Sequence, residues 1–203
     1  MSGHHHGSGH EHQPGRRFPA ERWARLVSEE RRALLDPLGF VDQLGVRPGS
    51  TVADLGAGPG FFTMPLAERV GPAGRVYAVD VSLEMVRVLR ERGLPPQVHA
   101  EVSEENRFPI PDAVVELALL GFVLHELSDP TAFLADVRRI LAPGGRLVVL
   151  EWVPRVEEQG PPLHERLSVD ASSRLLADGG FDVVERGAAN ASNYFLIATP
   201  HAT

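Results

Sequence analysis

From Thr51 to Ala198 the chain alternates short β-rich runs with segments whose apolar residues recur at helical spacing. The runs predict strands at Thr51–Leu55, Arg75–Asp80, Gln97–Glu101, Val115–Gly121, Gly145–Glu151, Phe181–Arg186 and Asn193–Ala198. The periodic segments predict helices at Phe62–Val70, Leu83–Arg92, Pro130–Leu141 and Ser168–Ala177. The third of these carries the clearest stripe, Phe133, Leu134, Val137, Ile140 and Leu141, behind an Asp129 N-cap and a first-turn Pro130. Gly71 and Gly93 stand where helix C-caps belong. Strand and helix alternate through the first five strands, the pattern of a parallel sheet covered on both faces. The last two strands have only a short link, so they pair antiparallel at one edge, since a parallel return needs a long crossover.

Ahead of the sheet, Phe18–Leu44 reads as helical, with Trp23, Leu26 and Val27 on one side and a second short helix over Leu34–Leu44. Arg47-Pro48-Gly49-Ser50 breaks it. Residues 1–17 are polar and His-rich, with His4, His5, His6, His10 and His12, and are expected to be disordered. Such a tract is a tag remnant or solvated tail, or binds metal away from any active site. The chain thus divides into a tail (1–17), a helical extension (18–48) and an α/β domain (49–203).

Composition narrows the chemistry. All 20 basic residues are arginine, and cysteine is absent. No lysine means no Schiff base and no P-loop lysine; no cysteine means no thiolate nucleophile, disulfide or cysteine-ligated metal. A net charge of −7 disfavours a nucleic-acid surface. No apolar run reaches a membrane span and residues 1–17 lack a signal peptide's apolar core, so a cytoplasmic enzyme or binding protein is expected.

The most informative segment runs Asp54-Leu55-Gly56-Ala57-Gly58-Pro59-Gly60-Phe61-Phe62. A strand ends, three glycines follow at alternate positions and a helix begins, so a ligand can approach bare backbone beside unpaired helix N–H groups. The second strand then ends in Asp80, 24 positions after Gly56, where nucleotide-binding α/β folds keep the acid that accepts from ribose hydroxyls. A dinucleotide loop prefers G-x-G-x-x-G; here the spacing is G-x-G-x-G, and Asp54 would repel a pyrophosphate while suiting an ammonium or sulfonium.

These residues resemble the class I S-adenosylmethionine-dependent methyltransferases, of the small-molecule type similar to the ubiquinone/menaquinone-biosynthesis enzymes. Asp54 to Gly60 resembles that family's cofactor loop, and Asp80-Val81-Ser82 with Met85 its ribose acid and following helix. Ser103 to Pro109 resembles its next segment, with Glu104 where the family holds the adenine amino group. Phe122 to Pro130 and Leu141 to Leu147 resemble the segments after the fourth strand and before the fifth. Glu116 stands where the family's fourth strand usually begins with Asp. The resemblance implies a Rossmann-like seven-stranded sheet, mostly parallel with an antiparallel edge strand, and S-adenosylmethionine as cofactor. It implies cofactor contacts from Asp54, Gly56, Ala57, Gly58, Gly60, Phe62, Asp80, Val81, Met85, Glu104, Glu105 and Leu120, and no metal. The arsenite-methylating branch needs thiols this chain lacks.

Methyl transfer from a sulfonium needs alignment, and a base only if the acceptor must lose a proton. His125, after the fourth strand, either serves as that base or packs at the next helix start. Glu151, ending the fifth strand, either orients the acceptor or pairs with an arginine. Glu126 has an ordinary first-turn dipole role. The extension and the Pro154–Arg166 loop are assigned to the acceptor pocket by analogy, or else serve as packing and linker, and within the loop Val156–Pro162 reads as a mobile lid. The acceptor is expected to be a small molecule, with no nucleic acid or membrane partner, on a monomer or homodimer. The rivals are an NAD-dependent oxidoreductase and a non-catalytic S-adenosylmethionine-binding module.

Overall fold

The structure, a computed structural model, describes residues 17–202. The expectations for the His-rich segment fall outside that range, except at Arg17. Seven strands form one sheet: β1 (Thr51–Leu55), β2 (Arg75–Asp80), β3 (Val98–Val102), β4 (Val115–Gly121), β5 (Leu141–Trp152), β6 (Phe181–Ala188) and β7 (Asn193–Pro200). Their spatial order is β3-β2-β1-β4-β5-β7-β6. The chain order reverses between β1 and β4, so the two halves open a crevice at the carboxyl ends of those strands.

β1 to β5 pair in parallel, while β5 and β6 both pair antiparallel with β7. The last two strands therefore form the expected antiparallel edge pair. The reversed strand is β7, which lies one position in, so outermost β6 runs with the rest.

Alternating side chains divide the core in two. On one face Val52, Val76, Ala78, Leu117, Leu119, Val148 and Leu150 meet α2 (Pro37–Gln43), α3 (Thr63–Val70) and α4 (Leu83–Glu91). On the other, Ala53, Leu55, Ala118, Leu120, Leu147 and Val149 meet α5 (Pro130–Ile140) and α6 (Val169–Asp178). The expected stripe of α5 is the one buried, with Leu134, Val137 and Ile140 sealed from solvent. The Glu116 carboxylate accepts from Thr51 N–H and Ser50 hydroxyl, both at 3.1 Å, and clasps the start of β1 to β4.

The extension departs from the expected pair of helices. A 3₁₀ turn covers Ala20–Val27, then α1 (Glu29–Leu35) and α2 follow, broken at Asp36. Pro37 has no N–H and disfavours helical geometry in the residue before it. Asp36 accordingly takes φ 37°, and its side chain caps α2 through Gly39 N–H. β5 also starts earlier than expected: Leu141 already pairs with Val115, and the Ala142–Gly145 stretch bulges before regular pairing resumes at Arg146. Gly145 is required there, since a β-carbon would meet the Val115 carbonyl at 2.7 Å.

Leu134→Ala, which removes a fully buried side chain joining α5 to the sheet, is expected to cost about 2–5 kcal/mol of stability by chemical denaturation.

Candidate functional site

The crevice is floored by the glycine loop. Gly56, Gly58 and Gly60 have φ of 74°, 51° and 89°, so each occupies the region where a β-carbon is strained. Gly56 and Ala57 N–H both donate to Val79 C=O, which pulls the loop across the end of β2. Gly58 N–H then donates to Asp80 Oδ2 and Ser82 N–H to Asp80 Oδ1, each at 2.8 Å. At Gly56 a β-carbon would strike Val123 at 2.5 Å, whereas at Gly58 it would meet only the Leu26 methyl at 3.8 Å. A β-carbon at Gly58 would thus meet no backbone, only the Leu26 methyl that the extension lays over it.

Two carboxylates lie beneath this loop. Asp54 is 2% exposed, and its Oδ2 accepts at 2.6 Å from the Thr63 hydroxyl in the first turn of α3. Burial raises its pKa to about 7, against the Thr63 bond and with a smaller push from Asp80. Burial also raises Asp80, opposed by the amides of Ser82 and Gly58. An ionised carboxylate has about four acceptor positions, so two remain on Asp80 for outside donors such as vicinal hydroxyls.

A dyad stands on the β4 and β5 side. His125 lies in a 3₁₀ turn, Leu124–Glu126, directly after β4. Its Nδ1 is 2.9 Å from both Glu151 oxygens, and its own N–H also donates to Glu151 Oε1. Trp152 N–H occupies Oε2. With Nδ1–H facing the carboxylate, the lone pair of the neutral ring is on Nε2, 3.9 Å from Glu126 Oε1. Burial works against the imidazolium, but the charge and hydrogen bond of Glu151 outweigh it, so the His125 pKa is raised. Glu126 is pushed up to about 7, first by burial and then by Glu151 and Asp80, with His125 opposing. The influence of Asp80 links the dyad electrostatically to the glycine loop.

The turn into the dyad is strained. Phe122 has φ 64°, rare for a bulky residue, and is held by its N–H to Leu150 C=O and by ring contacts with Phe62 and Trp152.

The extension closes the top. Arg17 pairs with Glu105, Phe18 N–H donates to Glu126, and Leu26 faces Gly58. From α1, the Arg31 guanidinium lies over the rings of Phe61 (5.0 Å) and Phe122 (5.2 Å). The expectation of a mobile lid at Val156–Pro162 is corrected, because the loop that contains it folds around Arg166. Its side chain is 1% exposed and donates to the carbonyls of Val153, Gln159 and Pro161 and to Glu157. An arginine that satisfies several carbonyls at once turns a Pro/Gly-rich stretch into a packed element.

The structure brings Asp54, Gly56, Ala57, Gly58, Gly60 and Asp80 together around one crevice. Val81, at its rim, is 37% exposed, and Met85 is buried behind it with its N–H capped by Ser82. Glu104 is exposed, while neighbouring Glu105 is tied to Ser128 and Arg17. Phe62 is buried against Gly121, Phe40 and Phe122, and Leu120 is fully buried in the opposite core. Glu151 is wholly buried, and its side-chain partner is His125 and not an arginine. Thr63 and Arg31 were not singled out in the sequence. Thr63 has a local signal, a hydroxyl in the turn after a buried acid; Arg31 has none.

The model of a methyltransferase domain family matches residues 53–149. The chain is 33% identical to a SAM-dependent methyltransferase of known structure from Aquifex aeolicus, with a TM-score of 0.86 over 90% of this chain and 98% of that one. It is 35% identical, over 68% of its length, to a ubiquinone/menaquinone biosynthesis C-methyltransferase of Cupriavidus necator, and covers 63% of that protein. A Streptomyces fradiae transposon protein of undescribed role is 42% identical over 55% of this chain, which covers 33% of it. The chain thus spans from one third to under two thirds of these curated relatives.

Because the folded pKa of Asp54 is raised, its proton stabilises the native state at low pH, and that contribution is lost as pH climbs from the ordinary carboxylate range through about 7. Asp54→Asn is expected to flatten that decline in a denaturation series from pH 4 to 8. A slope equal to the wild type would show that Asp54 is not the group responsible.

Proposed function

The chain belongs to the S-adenosylmethionine-dependent methyltransferases, and on that premise we propose that it methylates a small molecule whose accepting atom must first lose a proton. S-adenosylmethionine, when bound, supplies the methyl group on an activated sulfonium. The donor set suits it: Asp80 has free acceptor positions for ribose hydroxyls, Gly58 brings no side chain, and Asp54 and Glu126 are carboxylates that gain from a nearby positive charge. Val81, Leu83 and Val102 expose apolar surface where β2 and β3 end, as the face of a purine prefers. A pyrophosphate would instead meet these acids, which disfavours the NAD reading.

The observation that carries the acceptor class is the His125–Glu151 dyad. Glu151 holds the ring with Nδ1 protonated and stabilises the imidazolium, leaving Nε2 to take a proton. A sulfonium needs no acid to depart, so one base suffices, and His125, its pKa raised by Glu151, is the candidate. Relatives named for C-methylation in ubiquinone and menaquinone biosynthesis support a phenolic or hydroquinone-like ring. The extension and the Arg166 loop close the pocket around it. No helix among the described residues is long and apolar enough to cross a membrane.

Thermal-shift titration with S-adenosylhomocysteine and with NAD tests the cofactor: stabilisation by the first alone is expected, and by NAD alone would overturn the reading. With labelled cofactor and a panel of phenols and hydroquinones, His125→Asn is expected to lower kcat by about 10²–10⁴ while S-adenosylhomocysteine affinity stays within about twofold. Turnover requires neutral His125, so it should rise with pH through the raised His125 pKa. Glu151→Gln removes the charge that raises it and should move that limb to lower pH; an unmoved limb would return the dyad to packing.

A further inference from the structure

Among the described arginines, burial lowers the pKa of two, Arg31 and Arg92. Arg92 donates to the Pro59 carbonyl. Arg31 does not follow that pattern. Its Nε is sealed from solvent with no hydrogen-bond partner, it forms no ion pair with a described residue, and burial alone pushes its pKa down to about 10. Burying an arginine without a counter-charge is unfavourable, and each N–H that gives up water without a new acceptor adds to the penalty. Phe61 and Phe122 compensate in part, because a guanidinium over aromatic faces is attracted to their π-electrons. Ring faces offer no acceptor in the guanidinium plane, so Nε stays unpaired, and the guanidinium edge it belongs to is the shape that receives a carboxylate through two parallel bonds.

The position makes this more than a packing fault. Phe61 belongs to the glycine loop, immediately after Gly60. Phe122 is the strained residue leading to His125. Arg31 therefore bridges the cofactor side of the crevice to the base side, opposite in charge to Asp54, Asp80 and Glu126. A crevice with acids on one side and one unpaired guanidinium on the other complements a ligand that carries both charges.

We propose that Arg31 is a carboxylate receptor, its guanidinium held over the rings of Phe61 and Phe122 and completed by a carboxylate of bound ligand. The carboxylate comes from the amino-acid end of the cofactor or from an acid group on the acceptor. The inference rests on the methyltransferase reading above, since it takes the crevice to be the ligand site.

Calorimetric titration of wild type, Arg31→Met and Arg31→Lys tests it. S-adenosylhomocysteine serves as one probe and 5′-methylthioadenosine, which lacks the amino-acid end, as the second. The third arm is a panel of hydroxybenzoates beside their neutral amides, titrated with S-adenosylhomocysteine present. If the cofactor supplies the carboxylate, Arg31→Met weakens S-adenosylhomocysteine by about tenfold or more and leaves methylthioadenosine unchanged, with Arg31→Lys between. If the acceptor supplies it, the variant keeps its cofactor affinity and loses the preference for hydroxybenzoates over amides. Arg31→Met that shifts only Tm, with every affinity within about twofold of wild type, overturns the assignment and leaves Arg31 a brace for the extension. A wild-type chain that ignores S-adenosylhomocysteine overturns the methyltransferase reading and this inference with it.

Discussion

The bond from Gly58 N–H to the Asp80 carboxylate is the constraint on which the rest of the site depends. It joins the loop after β1 to the end of β2, and it forms only because three glycines accept positive φ within five residues. With the loop drawn over β2, Asp54 is shut beneath it and reaches only Thr63. The same closure leaves Phe61 buried beneath α1, where the Arg31 guanidinium lies over its ring. One amide–carboxylate bond thus organises groups contributed by β1, β2, α3 and α1.

Charge arrangement follows from that closure. Carboxylates buried without a guanidinium partner hold their protons to unusually high pH, which is unfavourable for the empty protein near neutrality and useful to one that binds a cation. The dyad uses the same physics with opposite sign. Glu151 is buried but hydrogen-bonded by His125 and by two backbone amides, so it holds His125 as imidazolium more readily than water would. Strain at Phe122 and burial at Asp54 are both tolerated because the sheet and its two apolar cores supply the stability that these positions subtract.

Arginine does structural work that a lysine could not. Arg166 satisfies three carbonyls and a carboxylate from one planar head, and so folds the loop after β5. Arg139 does the same for the turn before β4, bonding Asp136, Asp112 and the carbonyls of Phe108 and Ile110. The absence of lysine, which has no mechanistic meaning in the sequence, becomes legible here as loops built on fork-shaped donors. The absence of cysteine removes nothing, since the reactive carbon arrives on the cofactor.

The strands themselves, the antiparallel edge pair, the glycine loop and its acid at Asp80 were legible in the sequence, because each rests on local periodicity or on turn chemistry within a few residues. So was His125 as a candidate. The helical pattern over Leu34–Leu44 masked the break at Asp36, which Pro37 imposes. Tertiary structure alone decided the rest. Glu151 pairs with a histidine 26 positions away instead of facing the rim, Glu126 turns from a helix-start acid into a half-buried one beside His125, and Phe62 goes to the core. Arg31 acquires its two aromatic faces from segments 30 and 91 residues downstream. Periodicity says which side of an element is apolar, but a buried charge is defined by what the fold brings against it, and those neighbours are distant in sequence.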